Sequence, residues 1–259
     1  MTLPRLPRGS PPFLVPPVAK EALSQQRLKA YNDRQVELSF QGTAPMEVSM
    51  NGSSSGPRSS SALVCKAQAP LTTEYGQFRI LRYENFAGTE QCLALVAGEV
   101  DGKSNVLVRI KSKCLTGEVF HDLACDCRHQ LADAMTRIQA EPDKSGVVIY
   151  LFQEGKGNGL NAKLEAQSLV RAKGIDVFDA YRQLGLPADA RRYDAAAAVL
   201  ADLRVDPRIR LLTNNPDKIS QLENLGLKVE RVPSQVPQNQ HNLGCLRCHR
   251  EKYGHLLNL

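Results

Sequence analysis

The sequence lacks any apolar run approaching the roughly 18 residues that a membrane-spanning helix needs, and its mean hydropathy is −0.31. These features exclude an integral membrane protein. The first 20 residues hold six prolines but no acidic residue and no apolar stretch suited to a secretory signal. We therefore expect a cytoplasmic protein. A mitochondrial presequence is the alternative, because Arg5 and Arg8 suit one, but proline at this density forbids the amphipathic helix it requires.

Cysteine is too sparse for a disulfide-rich secreted domain, because such domains are shorter and denser in cysteine than this chain of 259 residues with seven cysteines. Metal binding or catalysis is the favoured use of these cysteines, and a reducing compartment is expected. A chain of this length can bury a hydrophobic core without disulfides.

The net charge of +6 is concentrated near the beginning of the chain. Residues 1–70 contain eight Lys or Arg and four Asp or Glu, whereas residues 71–259 contain 25 and 23. A domain that binds a nucleic acid duplex normally concentrates basic residues on its folded body. We therefore expect neither a nucleic acid nor a membrane as partner, and any phosphate-bearing ligand should be small.

Composition also divides the chain near residue 70. Residues 49–61 consist almost entirely of small and polar residues, which cannot form a core. We predict a Pro/Ser-rich, partly flexible extension over residues 1–70 and one folded domain over residues 71–259.

Hydrophobic periodicity in residues 71–259 predicts an α/β domain. Apolar runs indicate the strands, and helical spacing, Gly174 and Pro216 indicate the helices. The last three elements form a β-α-β unit, so we expect a mixed sheet with flanking helices, antiparallel at the start and parallel at the end. The predicted strands are 78–83, 92–100, 105–111, 147–152, 209–212 and 228–232, and the predicted helices are 126–140, 160–173, 193–203 and 216–225.

Three cysteines lie between a predicted strand and a predicted helix. Cys125 and Cys127 are separated by one residue, and Cys114 can fold back across the ten-residue loop before them. Three thiolates form a zinc site with one position open for water, which is typical of a catalytic metal. Spacing alone leaves three buried thiols without metal as an equal alternative, because C-x-C lacks the chelating geometry of C-x-x-C.

Two further segments suit an anion. Residues 153–160 carry three glycines between a predicted strand and a predicted helix, whose N-terminus favours phosphate, and Lys156 can add a positive charge. Residues 212–218 lead from another strand into a helix at Pro216. An ordinary turn and an ordinary capped helix are the structural alternatives.

Asp189 and Arg191 place a carboxylate beside a guanidinium, although such pairs are common on protein surfaces. A metal that activates water, two anion sites and this pair together indicate hydrolysis of a phosphorylated substrate.

From about residue 72 to residue 259 the chain resembles GTP cyclohydrolase II, the first enzyme of riboflavin synthesis. The motifs that carry the resemblance occur in the family's order and spacing. They are Arg109 through Cys114-Leu-Thr-Gly117, Cys125-Asp-Cys127, Gln153-Glu-Gly155, Asp189-x-Arg191, Arg210-Leu-Leu-Thr-Asn-Asn-Pro216 and Gly254-His-Leu-Leu257.

The resemblance implies a homodimer that opens the imidazole ring of GTP at C8 and releases formate and pyrophosphate. It implies Zn²⁺ on Cys114, Cys125 and Cys127, and Mg²⁺ on the triphosphate. It also implies Asp189 as proton acceptor and Arg191 as nucleophile on the α-phosphorus, although a guanidinium stays protonated and an electrostatic clamp is the easier role. The implied substrate contacts are Arg109, Ser112, Gln130, Glu154, Gly155, Lys156, Thr213 and Lys218.

Several positions depart from the family pattern. Lys111 and Lys113 stand where His and Glu are usual, Lys156 replaces an arginine, and Gln167 stands where tyrosine is common. Gln167 lacks an aromatic hydroxyl that could position water or the ring-opened base. A paralogue that stops at the formamidopyrimidine nucleotide, without releasing formate, is therefore one alternative. A non-catalytic regulator that binds zinc and a nucleotide is the other.

Cys245 and Cys248 belong to a separate C-x-x-C-H motif. A second zinc ion would need two more ligands, which His241 and His255 could supply. A tail with incidental thiols is the simpler interpretation.

Overall fold

The computed structural model describes residues 63–85, 91–235 and 238–259, so most of the predicted extension lies outside the described residues. These ranges contain strands β1 (Leu63–Thr73), β2 (Gly76–Asn85), β3 (Gln91–Ala97), β4 (Val106–Ser112), β5 (Gly146–Leu151), β6 (Arg208–Leu212) and β7 (Lys228–Val232). The helices are α1 (Leu115–Glu118), α2 (Cys127–Gln139), α3 (Gly159–Lys173), α4 (Val177–Gln183), α5 (Asp194–Asp202), α6 (Pro216–Asn224) and α7 (Leu243–Lys252), with a 3₁₀ turn at Gly155–Gly157.

The strands form a mixed sheet in the order β1-β2-β3-β5-β4-β6-β7. The pairs β1–β2, β2–β3 and β3–β5 are antiparallel. The pairs β4–β5, β4–β6 and β6–β7 are parallel, because helices return the chain to the same end of the sheet between these strands. The predicted α/β class, with antiparallel strands first and parallel strands last, is confirmed.

Helices cover both faces of the sheet. Helices α5 and α6 pack on one face through residues that include Val199 and Leu222. Helix α2 packs on the other face through Met135 and Ile138. Burying each large apolar side chain contributes about 1.5–3 kcal/mol. Helices α3 and α4 form a smaller core around Tyr181.

Strand β1 is not predicted from the sequence, which assigns residues 63–70 to the extension. It pairs with β2 from Leu63 opposite Asn85 to Thr73 opposite Gly76. The strand lies at one end of the sheet, most of its side chains are exposed, and it contains Pro70. It therefore lacks the apolar alternation by which a half-buried strand is recognised.

Helices α4 and α7 are also absent from the sequence prediction. Helix α4 is capped by Asp176, whose carboxylate accepts hydrogen bonds from two backbone amides, but seven residues are too few to reveal a helical period. Helix α7 is mostly polar and buries only Leu246 and Cys248. The thiols of the C-x-x-C-H motif thus lie on a helix. None of the helices in the described ranges has the length and apolar character needed to cross a membrane.

The carboxyl ends of the parallel strands β4, β5 and β6 lie at one edge of the sheet. Strand β4 ends just before Cys114, β5 shortly before Glu154 and β6 directly before Thr213. Ligands of open α/β sheets bind outside the carboxyl ends of the strands. The segments that the sequence singles out for chemistry therefore meet at this edge.

Candidate active site

A cavity of about 270 Å³ opens at this edge of the sheet. It is far larger than the roughly 15 Å³ that one water molecule occupies, so it can accept a small organic ligand. Of the site residues predicted from the sequence, all except Asp189 line the cavity. The fold thus brings together residues that are separated by more than 100 positions, from Arg109 to Lys218.

Cys114, Cys125 and Cys127 form a compact triad on the cavity wall. Their Sγ atoms all lie within 4.8 Å of one another, and those of Cys114 and Cys125 are 3.5 Å apart. Cys114 precedes α1 and Cys127 begins α2, so the loop folds back as predicted. In the part of the chain that the structure describes, no other group of three potential metal ligands is found, and Cys245 and Cys248 belong to no such group. The triad can hold a metal ion and faces the cavity.

Gly117 allows the triad to close. A Cβ atom at this position would lie 2.2 Å from Sγ of Cys125 and 3.2 Å from Sγ of Cys114, so one of these groups would have to move. If the triad holds zinc, as the resemblance implies, we expect Gly117→Ala to weaken its binding about tenfold or more, which is the cost of disturbing the groups that orient metal ligands. Titration against a competing chelator measures the effect. Gly244→Ala is the control, because its Cβ would have no atom within 4 Å, and equal zinc affinity in both variants would contradict the triad geometry.

Hydrogen bonds from Cys125 and Cys127, together with the nearby ammonium of Lys163, lower the pKa of Cys114. Lys163 Nζ donates to Cys114 Sγ at 3.1 Å and to Glu154 Oε1 at 2.8 Å. The other oxygen of Glu154 accepts from the backbone amide of Leu115 at 2.8 Å. Both oxygens of Glu154 are therefore engaged within the protein, where the carboxylate fixes the loop that carries Cys114.

Lys111 does not add an unpaired charge to the cavity. Its ammonium lies 2.8 Å from Oε1 of Glu118, and both side chains are buried. Glu118 also accepts hydrogen bonds from the Tyr150 hydroxyl and, at 3.3 Å, from the backbone amide of Cys114. Burial lowers the pKa of Lys111, but Cys127 and Glu118 outweigh it and raise the pKa, so the lysine stays charged.

Arg109 lines the cavity, and hydrogen bonds within the protein fix its guanidinium. Its guanidinium donates to the Leu212 carbonyl at 2.6 Å and to Gln130 Oε1 at 2.5 Å, and Gln130 in turn donates to Asp126 at 2.6 Å. Its Nε and the hydroxyl of Ser112 are buried without a hydrogen-bond partner among the described residues. Because unsatisfied buried polar atoms are costly, these two groups suit contacts with a bound ligand.

The glycines after β5 serve the packing of the protein itself. Lys156 has a φ of 55°, and Gly155 and Gly157 also have positive φ, so the chain turns tightly there. A Cβ on Gly157 would lie 2.8 Å from the carbonyl carbon of Ala190. The amide of Ala190 donates to the Lys156 carbonyl at 2.8 Å. Gly155 lines the cavity, but a Cβ there would lie 3.1 Å from Cβ of Lys163, so Gly155 and Gly157 both make room for other parts of the protein.

The segment after β6 is a capped helix start. Asn215 accepts from the amide of Asp217 at 3.1 Å, and the Thr213 hydroxyl accepts from the amide of Asn215 at 3.1 Å. Lys218, one turn into α6, donates to the carbonyl of Ile110 at 2.7 Å. Thr213 and Lys218 both line the cavity, as predicted.

Positive charge accumulates inside the cavity. Burial, reinforced by Arg191, lowers the pKa of Lys156 to about 8. Burial, with repulsion from Arg109, Arg191 and Lys111, lowers the pKa of Lys218 well below its usual value. Mutual repulsion among buried cations of this kind is relieved when an anion binds between them.

Asp189 lies behind Arg191 rather than on the cavity wall. Its carboxylate accepts from the backbone amide, Nε and a terminal nitrogen of Arg191, which fixes the guanidinium in one orientation. Burial alone raises the pKa of Asp189, but Arg191 outweighs it and the pKa is lowered. Burial likewise lowers the pKa of Arg191, yet Tyr193 and Asp189 raise it above its ordinary value. Arg191 is therefore a permanent cation.

Residues 243–257, here called the rim segment, complete the cavity wall. The segment is anchored where Leu256 donates to the Asn214 carbonyl at 2.8 Å and where the Tyr253 hydroxyl donates to the Ala188 carbonyl at 3.1 Å. Lys156 Nζ sits 3.5 Å from the centre of the Tyr253 ring. Burial, with repulsion from Lys156 and Arg191, lowers the pKa of His255 to about 3, so this imidazole is neutral.

Several lining residues carry no role in the sequence analysis. They include Lys163, Tyr181 and Leu246. A signal exists for Lys163, because Gln167 lies one helical turn beyond it and both face the cavity. The rim segment gives a weaker signal. Its motif Gly254-His-Leu-Leu257 is similar to the family's, but the motif does not indicate what these residues contact.

The sequence model of the family described as GTP cyclohydrolase II matches residues 64–233. The chain belongs to the GTP cyclohydrolase II family. The rim segment, which completes the cavity, lies beyond the part that this family model matches.

The curated relatives of the family are longer than this chain. Riboflavin biosynthesis protein RibBA of Chlorobium phaeovibrioides is 43% identical over 199 residues, which are 76% of this chain and 48% of that protein. RibBA of Bacillus cytotoxicus is 44% identical over 195 residues, which are 75% of this chain and 48% of that protein. The chain thus spans about half the length of the curated relatives it matches.

A solved structure also resembles part of the chain. It is RibBX, a two-domain 3,4-dihydroxy-2-butanone 4-phosphate synthase from A. baumannii, with 23% identity and a TM-score of 0.40. The match covers 68% of this chain and 41% of that chain. A likeness at this level supports no argument about the site.

Proposed function

We propose that the protein hydrolyses GTP, opening the imidazole ring at C8 and releasing formate and pyrophosphate. The product is 2,5-diamino-6-ribosylamino-4(3H)-pyrimidinone 5′-phosphate. The observation that carries the proposal is one cavity that joins a cysteine triad to the basic side chains of Arg109, Lys156, Arg191 and Lys218. The cysteine triad suits a metal ion, and the basic side chains suit a polyphosphate. Membership of the GTP cyclohydrolase II family indicates GTP as the nucleotide.

The donor set fits Zn²⁺. Three sulfur atoms within 4.8 Å of one another are soft ligands of the kind that select zinc over magnesium or calcium, and the side facing the cavity is left for a fourth ligand. A zinc ion bound there would supply activation of the water that attacks C8. The protein's own contribution is to hold the loop of Cys114 through Glu154 and Glu118.

The cations bind and orient the phosphates. Arg191, held by Asp189, acts as an electrostatic clamp on the α-phosphoryl group, because a permanent cation cannot attack phosphorus. Asp189 acts through Arg191 rather than as the proton acceptor that the resemblance implies. Lys156, Lys218 and Thr213 extend the binding surface for the triphosphate, which arrives with Mg²⁺.

The groups beneath the cavity orient the rest of the nucleotide. Among the described residues, Ser112 Oγ and Arg109 Nε have no hydrogen-bond partner and can bind it, while Gln130 fixes the guanidinium of Arg109. Glu154 is a positioning residue, since both of its oxygens are occupied within the protein. Gly155 lines the cavity beside it.

Lys156 gives the reaction a defined pH dependence. An ammonium with a pKa of about 8 is charged below that pH and neutral above it. We expect kcat/KM for GTP, which reports the free enzyme, to fall above pH 8 in the wild type, and we expect this alkaline limb to move to higher pH in Lys156→Arg, whose guanidinium remains charged. Lys228→Arg, on the exposed end of β7, is the control. Identical alkaline limbs in wild type and Lys156→Arg would contradict this assignment.

The proposed activity is tested with zinc-loaded protein, Mg²⁺ and GTP. Formate and pyrophosphate are assayed together, and the product is weighed by mass spectrometry. We expect equal amounts of both. Binding of GTP and zinc without either product would instead identify a non-catalytic regulator.

A formamide-retaining reaction is the second candidate, because Gln167 lines the cavity at the position where tyrosine is common in the family. That reaction yields pyrophosphate and a nucleotide that keeps its formyl carbon. If it occurs, Gln167→Tyr should restore formate release by supplying a hydroxyl that can position water. Glu165→Tyr, exposed on the same helix, is the control. An unchanged formate yield in Gln167→Tyr would remove Gln167 as the cause.

The oligomeric state and domain division remain predictions. We propose a homodimer, to be checked by light scattering as a mass of twice 28.5 kDa. The catalytic domain is proposed to begin with β1 at Leu63 rather than at residue 71, because β1 pairs with β2.

A further inference from the structure

Lys163 contacts the cysteine triad directly. It lies on α3, and its ammonium donates to Sγ of Cys114 at 3.1 Å and to Oε1 of Glu154 at 2.8 Å. The side chains of Lys163 and Glu154 are only 13% and 7% exposed, so water competes little for these bonds. A charged donor therefore points at one of the three sulfurs that face the cavity.

Three thiolates bring more negative charge than one divalent cation balances. A divalent metal with three thiolates carries a net charge of −1, which is costly to bury without a compensating cation. Lys111 is committed to Glu118, with a separation of 2.8 Å between the charged atoms. Lys163 is the ammonium that contacts a sulfur of the triad directly.

We propose that Lys163 is a positioning residue that withdraws electron density from the Cys114 sulfur and so sets the electrophilicity of the bound metal. The proposal rests on the metal site put forward above. A hydrogen bond to a metal-bound thiolate stabilises the sulfur lone pairs and weakens their donation. The metal then keeps more of its positive charge, which a metal that activates water needs.

Glu154 keeps the donor in place. The carboxylate bridges Lys163 on α3 and the amide of Leu115, the residue after Cys114. The ammonium is thus fixed relative to the loop that carries the sulfur. In a purely structural role, Lys163 would only neutralise Glu154. A spectroscopic measurement of electron donation by the Cys114 sulfur distinguishes that role from the proposed one.

Cobalt substitution provides that measurement. Co²⁺ replaces zinc in thiolate sites, and the energy of its sulfur-to-metal charge-transfer band reports how readily the sulfur gives up electron density. We expect the band of Lys163→Met to move to lower energy than that of the wild type. The dissociation constant for Co²⁺ at pH 7 should rise about tenfold, a usual effect of losing a partner of a metal ligand. Lys163→Arg, which keeps a charged donor, should restore both values towards wild type.

The control is Lys173→Met on the same helix, where the ammonium contacts Gln183 at 2.8 Å and not the triad. If Lys163→Met lacks cooperative thermal unfolding, Lys163→Gln, which replaces the ammonium with a shorter, neutral amide, is measured in its place. A wild-type protein that gives no charge-transfer band overturns the metal site itself. A normal wild-type band that stays unchanged in Lys163→Met or Lys163→Gln overturns the role of Lys163 and leaves the metal site standing.

Discussion

Replacing Cys125 with serine is expected to abolish zinc retention and to lower GTP hydrolysis about a thousandfold. The sulfur of Cys125 is 3.5 Å from that of Cys114 and within 4.8 Å of that of Cys127, so its loss leaves two ligands. Lewis-acid activation supplies several kcal/mol to such reactions, and about 4 kcal/mol corresponds to a factor of roughly 10³. Zinc content is measured by mass spectrometry, and formate and pyrophosphate by coupled assay.

Cys65→Ser is the matched control, because Cys65 is exposed on β1 and has no contact with the triad. It should retain full zinc content and activity. Wild-type zinc content in Cys125→Ser would show that this residue is not a ligand. A variant that loses zinc but keeps its rate would show that the metal is structural.

Removing the charge of Arg191 is expected to reduce pyrophosphate release by about 10² to 10³ while leaving zinc bound. The guanidinium faces the cavity, is oriented by Asp189 and stays charged. Arg191→Met removes the proposed clamp on the phosphoryl group and approximately preserves the volume of the side chain. Arg191→Lys should recover only part of the rate, because a single ammonium cannot reproduce a planar, bidentate contact.

Arg192→Met is the matched control, since the neighbouring side chain is 78% exposed and pairs with Asp194. It should change the rate less than twofold, as surface ion pairs contribute little. If Arg191→Met released pyrophosphate as fast as Arg192→Met, the clamp would be excluded. If it lost zinc as well, the effect would have to be assigned to a disturbed fold.

The sequence predicts those parts of the fold whose signals are local. The apolar run of β5, Pro216 at the start of α6 and Gly174 in the left-handed conformation after α3 each fix an element without reference to the rest of the chain. The three cysteines lie close together in the sequence, but their spacing alone leaves a metal site and buried thiols as equal alternatives, and only the resemblance to the family favours the metal site. Strand β1 carries no such signal, since its partner supplies the hydrogen bonds that define it.

The finer chemistry of the site depends on contacts that no local pattern contains. Lys111 looks like an added charge until α1 brings Glu118 beside it. Glu154 matches a substrate-contacting position of the family, yet its oxygens meet Lys163 and Leu115 in the folded chain. Asp189 has the residue type of a proton acceptor, but the turn directs it to Arg191. Residue identity defines what each group can do, and tertiary contacts select among those possibilities.

The two halves of the cavity are completed at different stages of protein synthesis. The triad comes from residues 114–127, so a growing chain carries all three sulfurs before β5, β6 and β7 have been made. The wall formed by Cys245, His249 and His255 belongs to residues translated after every strand of the sheet. The three sulfurs therefore precede in synthesis both Glu154, which fixes the loop that carries Cys114, and the rim segment, so the cavity is complete only after translation has passed the rim segment.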